Sequence, residues 1–199
     1  MMKNIFQVFY GLLVLVLYSS CMHSEEESVD VLIVGGGASG VTSGIQSARM
    51  GANTLIIEEN TWLGGMLTSA GVSAVDGNYK LPAGLWGEFK DRLSDYYGGL
   101  DSLKTGWVSN VLFEPSVGNK IFHEMVAAES NLKVWKQACL EEAKRVGNEW
   151  IAKVKMEGQP GKTVRAKILI DATELGDVAK MCGVKYDIGM ESRDDTHED

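Results

Sequence analysis

Residues 31–40 read Val-Leu-Ile-Val-Gly-Gly-Gly-Ala-Ser-Gly, four apolar residues running straight into a glycine-rich turn. A short continuous apolar run of this kind is what a strand buried on both faces of a parallel sheet carries. Beyond the turn, Val41, Ile45 and Ala48 recur at helical spacing, and Gly51 stands where a helix C-cap belongs. A second apolar strand, Thr54-Leu-Ile-Ile57, ends in Glu58-Glu59. Strand, turn, helix and strand within about thirty residues make a βαβ unit, which points to an α/β fold built on a parallel sheet.

Each glycine of Gly35-x-Gly37-x-x-Gly40 has a physical task in such a unit. Gly35 permits the tight turn, Gly37 lets the backbone approach a pyrophosphate, and Gly40 allows close helix–strand packing while the helix N-terminus faces the phosphates. Ala38 and Ser39 lie inside the turn and join the expected phosphate-binding set. Glu58 follows Gly40 by 18 residues at the end of the next strand. A carboxylate there can accept hydrogen bonds from ribose hydroxyls. Its neighbour Glu59 is the second candidate for that role. The pattern therefore predicts a dinucleotide site.

Just past the acidic pair come Gly64 and Gly65, followed by Met66. This stretch resembles the double-glycine motif of FAD-dependent oxidoreductases, which runs beside the FAD pyrophosphate and on toward the flavin. The resemblance adds Gly64, Gly65 and Met66 to the cofactor-binding residues. A loop that simply needs two permissive backbones would read the same way. Thr68 and Ser69 are placed either near the ring or in loop packing.

Between about residues 70 and 130 the chain leaves strand–helix alternation. Leu85, Phe89 and Leu93 mark one face of a helix that stops at Gly98-Gly99. Pro115 opens another helix, with Val117, Ile121 and Met125 on one side. His123 lies off that face and reads as a surface residue. These helices form an insertion between parallel strands. From about 137 to 170, alternating segments separated by Gly147-Asn148 and Gly158-Gln-Pro-Gly161 read as an antiparallel β-meander.

The last of these strands runs into Ile168-Leu-Ile-Asp-Ala-Thr-Glu-Leu-Gly-Asp177. Glycine-rich βαβ, double glycine, helical insertion, meander and Asp-Ala-Thr follow the order of the glutathione-reductase-like FAD fold. With "LGGMLTSAG", "GLWGEFKDRL", "FEPSVGNKIF" and "IDATELGDVAKMCGV", residues 30–199 resemble the FAD-dependent oxidoreductase family related to the flavin-carrying part of heterodisulfide reductase. The resemblance implies a Rossmann-like FAD-binding domain, with Ala172 and Thr173 beside the ADP half of FAD. Glu174 stands where the general pattern has Gly, which argues against its direct contact. Asp177 either approaches the cofactor or caps the helix carrying Val178 and Met181.

Charge and cysteine usage narrow the partners. A formal net charge of −8, without a basic aromatic patch, argues against nucleic acid. Cys21, Cys139 and Cys182 have no close spacing, so neither a zinc site nor an iron–sulfur cluster is expected, and the last two read as small core hydrophobes.

Lys3, the apolar run Ile5–Leu17 and Ser19-Ser20 form a signal peptide over residues 1–20. This stretch of thirteen residues is too short to cross a hydrocarbon core of about 30 Å. Cys21 resembles the lipidated cysteine of a bacterial lipobox, although Tyr18 replaces the usual Leu. The expectation is export and membrane anchoring through a lipid, with residues 21–29 as a solvated tether.

The polar run Glu191–Asp199 stands where relatives continue, so the chain reads as the incomplete N-terminal portion of a longer enzyme whose remaining polypeptide is its first partner. The expected activity is flavin-mediated hydride or electron transfer on a small-molecule substrate, carbohydrate-related if the exported location is a guide. An exported non-catalytic binding protein and an NAD-dependent dehydrogenase are the competing readings. No motif assigns a catalytic residue.

Overall fold

The computed structural model describes residues 26–197 except 78 and 191. The signal peptide over 1–20 and the lipidation expected at Cys21 lie outside the described residues. Strands β1 (Glu26–Val34), β2 (Thr54–Glu58), β3 (Leu132–Lys136), β4 (Ala138–Val146), β5 (Glu149–Met156) and β6 (Gln159–Asp171) form one sheet in the order β3-β2-β1-β6-β5-β4. β1 is parallel to both β2 and β6, and β2 is parallel to β3, whereas β4, β5 and β6 are antiparallel neighbours. The α/β class with parallel sheet, helical insertion and meander is therefore the observed fold.

Side chains of β1 point alternately into two cores, as the period of a strand requires. Val31 and Ile33 face the first core, with Val41 and Ile45 of helix α1 (Ala38–Arg49), Leu93 of α2 (Gly84–Tyr97) and Ile121 and Met125 of α3 (Pro115–Ala127). Leu32 and Val34 face the second, where Leu140, Val154 and Val164 of the meander close over the parallel strands. Burial on both faces explains why the Val31–Val34 part of β1 is apolar without alternation. The pairing Val31↔Thr54 through Val34↔Ile57 fixes the register, and a slip by one residue would send each of these side chains to the opposite core.

The tether expected over residues 21–29 is corrected for its described residues, 26–29. Glu26–Val29 belong to β1 and pair with Thr163–Ala166 of β6, and Val29 is buried. The acidic run looks solvated in sequence, but cations from distant strands complement it. Arg165 meets Glu26 at 2.8 Å, Lys133 meets Glu27 at 2.6 Å and Lys167 meets Asp30 at 2.6 Å. Such exposed pairs contribute little each, so the backbone ladder holds the segment in place.

The turn read at Gly158-Gln-Pro-Gly161 is tighter than expected. Met156 pairs with Gln159, and β6 already includes Pro160 and Gly161. A register shift between Val154 and Met156 makes this possible, because an irregular ladder tolerates a residue with no N–H to donate.

The insertion helices pack through an aromatic cluster. Phe89 of α2 stacks on Phe122 of α3 with centroids 4.5 Å apart and meets Phe113 edge-on at 5.5 Å. Arg49 at the end of α1 bonds Glu88 of α2 at 2.9 Å and Glu129, just beyond α3, at 2.7 Å, tying the three helices together. Phe122 is 3% exposed. Phe122→Ala should therefore destabilise the fold by about 3–5 kcal/mol, read as a lowered denaturant midpoint in urea unfolding.

Candidate dinucleotide cleft

The C-terminal ends of β1, β2 and β6 meet the N-terminus of α1 around a cleft of about 630 Å³. In open α/β sheets this is the edge at which ligands bind. The first turn is tied by backbone bonds to the strands on both sides. Gly35 N–H donates to Ile57 O at 2.9 Å, and Ala172 N–H donates to Val34 O at 2.9 Å. Gly35 has φ +101°, and a Cβ there would lie 2.4 Å from Ala172 O. A Cβ on Gly40 would come within 1.9 Å of Gly35 O, so only glycine lets α1 sit this close to the turn.

Gly37 differs from both. It is the N-cap of α1 with φ −63°, it has no side chain to cap the helix, and the first turn carries no acidic residue. A Cβ on Gly37 would meet nothing within 4 Å. The N–H groups of Ala38, Ser39 and Gly40 have no intrahelical acceptor, so the positive end of α1 opens onto the space in front of Gly37. Gly35, Gly37, Ala38 and Ser39 line the cleft, whereas Gly40 does not.

Glu58 is 8% exposed and reaches the cleft wall with its carboxylate already oriented. Its Oε2 accepts from Gly36 N–H at 2.5 Å. Its Oε1 accepts from the Asn60 backbone N–H at 2.7 Å and from the Asn60 side-chain amide at 2.8 Å. Glu59 is exposed on the same wall and accepts from the Cys139 thiol at 3.0 Å. That bond to Glu59, with burial, pushes the Cys139 thiol up to about 11. Cys139 is thus a half-buried hydrogen-bond donor and not the core hydrophobe expected, because β4 brings it to a carboxylate; Cys182 is also only half-buried, at the margin of the second core.

The double glycine braces the turn from below. Gly64 N–H donates to Gly36 O at 2.8 Å, and Gly64 bridges Gly37. At φ +104° a Cβ on Gly64 would strike Phe122 and Thr68 at 2.7 Å, and one on Gly65 would lie 3.0 Å from Gly37 Cα. Gly64 does not line the cleft, while Gly65 and Met66 do. Asn119 of α3 accepts from Leu63 N–H at 2.9 Å and fixes the approach to this pair. Thr68 is buried and donates to Leu63 O at 2.6 Å, which gives it the loop-packing role, whereas Ser69 lines the cleft.

At the end of β6, Ala172, Thr173 and Glu174 form the opposite wall. Asp171 caps helix α4 (Asp177–Met181) from a distance: its Oδ2 accepts from Ala179 N–H at 2.7 Å, and its Oδ1 accepts from the Thr173 hydroxyl at 2.6 Å. Asp177 lies inside the first turn of α4 and donates its own N–H to Thr173 Oγ1, so the cap weighed for Asp177 is supplied by Asp171 and Thr173. His123 is half-buried and off the cleft, and burial, with a contribution from Lys136, lowers its pKa.

Among the described residues, Glu58, Glu59, Glu174 and Asp177 line the cleft and no Lys or Arg does. An anion here would be held by backbone dipoles, and a polyhydroxylated group by the carboxylates. That combination fits the pyrophosphate and ribose of a dinucleotide. No group of three or more His, Cys, Asp or Glu placed to hold a metal occurs among the described residues. Gly36, Asn60 and Asn119 complete the site without having been assigned a role in sequence, although Gly36 lies within the glycine-rich turn and Asn119 within the quoted stretch "FEPSVGNKIF".

A family model described as FAD dependent oxidoreductase matches residues 30–199. No curated protein matches the chain. Among solved structures, it is similar to a flavoprotein/dehydrogenase from Cytophaga hutchinsonii, at 18% identity and TM-score 0.57 over 83% of this chain and 44% of that one. A geranylgeranyl bacteriochlorophyll reductase-like protein from Thermoplasma acidophilum aligns at 19% identity and TM-score 0.55, over 82% and 44%. OxyS anhydrotetracycline hydroxylase from Streptomyces rimosus aligns at 12% and 0.56, over 77% and 33%. At these identities the likeness is one of fold, and the chain spans less than half the length of each of these structures.

The Asp171 cap has a definite pH signature. Burial opposes its charge, but hydrogen bonds from the Thr173 hydroxyl and from the Ala179 and Thr173 N–H groups prevail and hold its carboxyl below the usual 3.8. A lowered folded-state pKa adds stability above the unfolded value, and that stability is lost as pH falls through the folded value. Asp171→Asn should therefore lower the melting temperature at pH 7, with the gap from wild type closing below about pH 4 in a series of thermal melts.

Proposed function

The chain belongs to the FAD dependent oxidoreductase family, whose cofactor is FAD, and we propose that it forms the part of a flavin oxidoreductase that grips the ADP half of that cofactor. The observation that carries this reading is the uncapped N-terminus of α1 facing open space in front of Gly37, with the oriented carboxylate of Glu58 on the adjoining wall. Bound FAD would supply hydride or electron transfer, which the protein side chains cannot perform themselves. The residues of this chain bind and orient. The α1 N–H groups of Ala38 and Ser39 receive the pyrophosphate, Glu58 receives the ribose, and the Ala172–Thr173 wall confines the nucleotide. Gly64 and Gly65 hold the turn rigid from behind, which keeps the donors aimed without reorganisation on binding.

The order of βαβ unit, double glycine, helical insertion, meander and Asp-Ala-Thr supports a glutathione-reductase-like arrangement of FAD. A small-molecule substrate, and closure of the flavin by polypeptide beyond the matched region, complete the proposal, because the solved structures of similar fold are each more than twice as long as the aligned part. The leader and Cys21 support export and lipid anchoring in a bacterial envelope. Fatty-acid labelling that disappears in Cys21→Ala is the expected result of that proposal.

Gly37→Val tests the binding role, because a Cβ there meets nothing within 4 Å and the φ of −63° is open to any residue. The branched side chain fills the space that the pyrophosphate needs. The variant should melt as wild type does yet lose measurable binding of FAD and ADP in titration calorimetry. Unchanged affinity would defeat the assignment. Glu58→Ala should weaken ADP binding roughly ten- to hundredfold, the worth of one hydrogen bond to a charged group.

A further inference from the structure

We infer that Asn60 makes Glu58 a receptor for a single ribose hydroxyl, and so sets which hydroxyl of the nucleotide the protein reads. The inference rests on the dinucleotide reading above and goes beyond it to the stereochemistry of recognition. An ionised carboxylate offers about four lone-pair positions, two on each oxygen. In Glu58 both positions on Oε1 are taken by Asn60, through its backbone N–H at 2.7 Å and its side-chain amide at 2.8 Å. One position on Oε2 is taken by Gly36 N–H at 2.5 Å. One remains. A carboxylate free of these partners could accept both vicinal hydroxyls of a ribose, one on each oxygen. Here the second hydroxyl finds Oε1 saturated.

The arrangement is built rather than incidental. Glu58 is 8% exposed, so its carboxylate cannot swing into water to release its partners. Gly36 approaches Glu58 so closely that a Cβ on Gly36 would lie 2.9 Å from Glu58 Cβ and 3.0 Å from Oε2. Asn60 is exposed and lines the cleft, so its side chain can be removed without opening a core. Asn60 is a positioning residue in this scheme: it acts on the ligand through Glu58.

The test is calorimetric titration of the 199-residue chain with ADP, 2′-deoxy-ADP and 3′-deoxy-ADP. In wild type, one deoxy compound should bind roughly ten- to hundredfold more weakly than ADP and the other within about twofold of it. Glu58→Gln should remove the penalty for the first compound and leave the second unchanged. That comparison separates the contribution of Glu58 from any made by Glu59. In Asn60→Ala the freed Oε1 becomes available to the second hydroxyl, so both deoxy compounds should be penalised. A merely structural role for Asn60 would instead weaken all three ligands in parallel.

The inference is overturned if Glu58→Gln removes the penalty for both hydroxyls or for neither. It is also overturned if Asn60→Ala leaves the wild-type pattern intact, an arm that decides the matter even if Glu58→Gln does not fold. Failure of wild type to bind ADP at all would defeat the dinucleotide reading together with this one. ADP binding with the wrong hydroxyl pattern would defeat this one alone.

Discussion

Gly40 and Gly35 meet more closely than any side chain would allow. With no side chain on Gly40, helix α1 begins directly against the carbonyl of the first turn, where a Cβ would sit 1.9 Å from Gly35 O. That contact sets the angle at which α1 leaves β1, and hence the depth to which Val41 and Ile45 enter the first core. It also aims the unpaired N–H groups of the α1 first turn into the cleft. Fold and binding edge are therefore fixed by the same few atoms. A larger residue at either position would force the helix away and open the core and the site together.

Around this contact the protein arranges a second ring of constraints whose common feature is short backbone reach. Gly64 and Gly65 pass close behind Gly36 and Gly37 because they carry no side chains: Phe122 and Thr68 occupy the place of a Gly64 Cβ, and Gly37 Cα lies 3.0 Å from that of Gly65. Asn119 on α3 anchors Leu63, so the insertion helices contribute to the turn without reaching the cleft themselves. The insertion is thus more than an ornament on the sheet. Its aromatic cluster supports the loop that supports the turn, and binding strength is coupled to packing some distance from the ligand.

The electrostatics follow from the same close packing. With four carboxylates on its walls and no Lys or Arg among the described lining residues, the cleft offers positive potential only where the backbone supplies it. Partial charges on aimed N–H groups are worth most where water is excluded and the geometry is fixed in advance. Rigidity at Gly35, Gly40 and the double glycine therefore substitutes for a basic side chain.

Much of this was legible in the chain itself. Apolar runs at 31–34 and 54–57, a helical stripe between them and glycines at fixed offsets determine a βαβ unit, because each signal is local and depends only on backbone sterics and period. The meander and the two insertion helices were readable for the same reason. What the tertiary structure decided concerns partners far apart in sequence. Glu26 and Glu27 read as solvated until Arg165 and Lys133 arrive from other strands, and Cys139 reads as a core residue until β4 sets it beside Glu59. Asp171 becomes a helix cap only when α4 folds back over it, and Gly36 becomes a fixed partner of Glu58 only when the turn closes. Local sterics specify which elements form. Which polar groups they bring within 3 Å of one another depends on how the elements pack, and no periodicity in the chain encodes that.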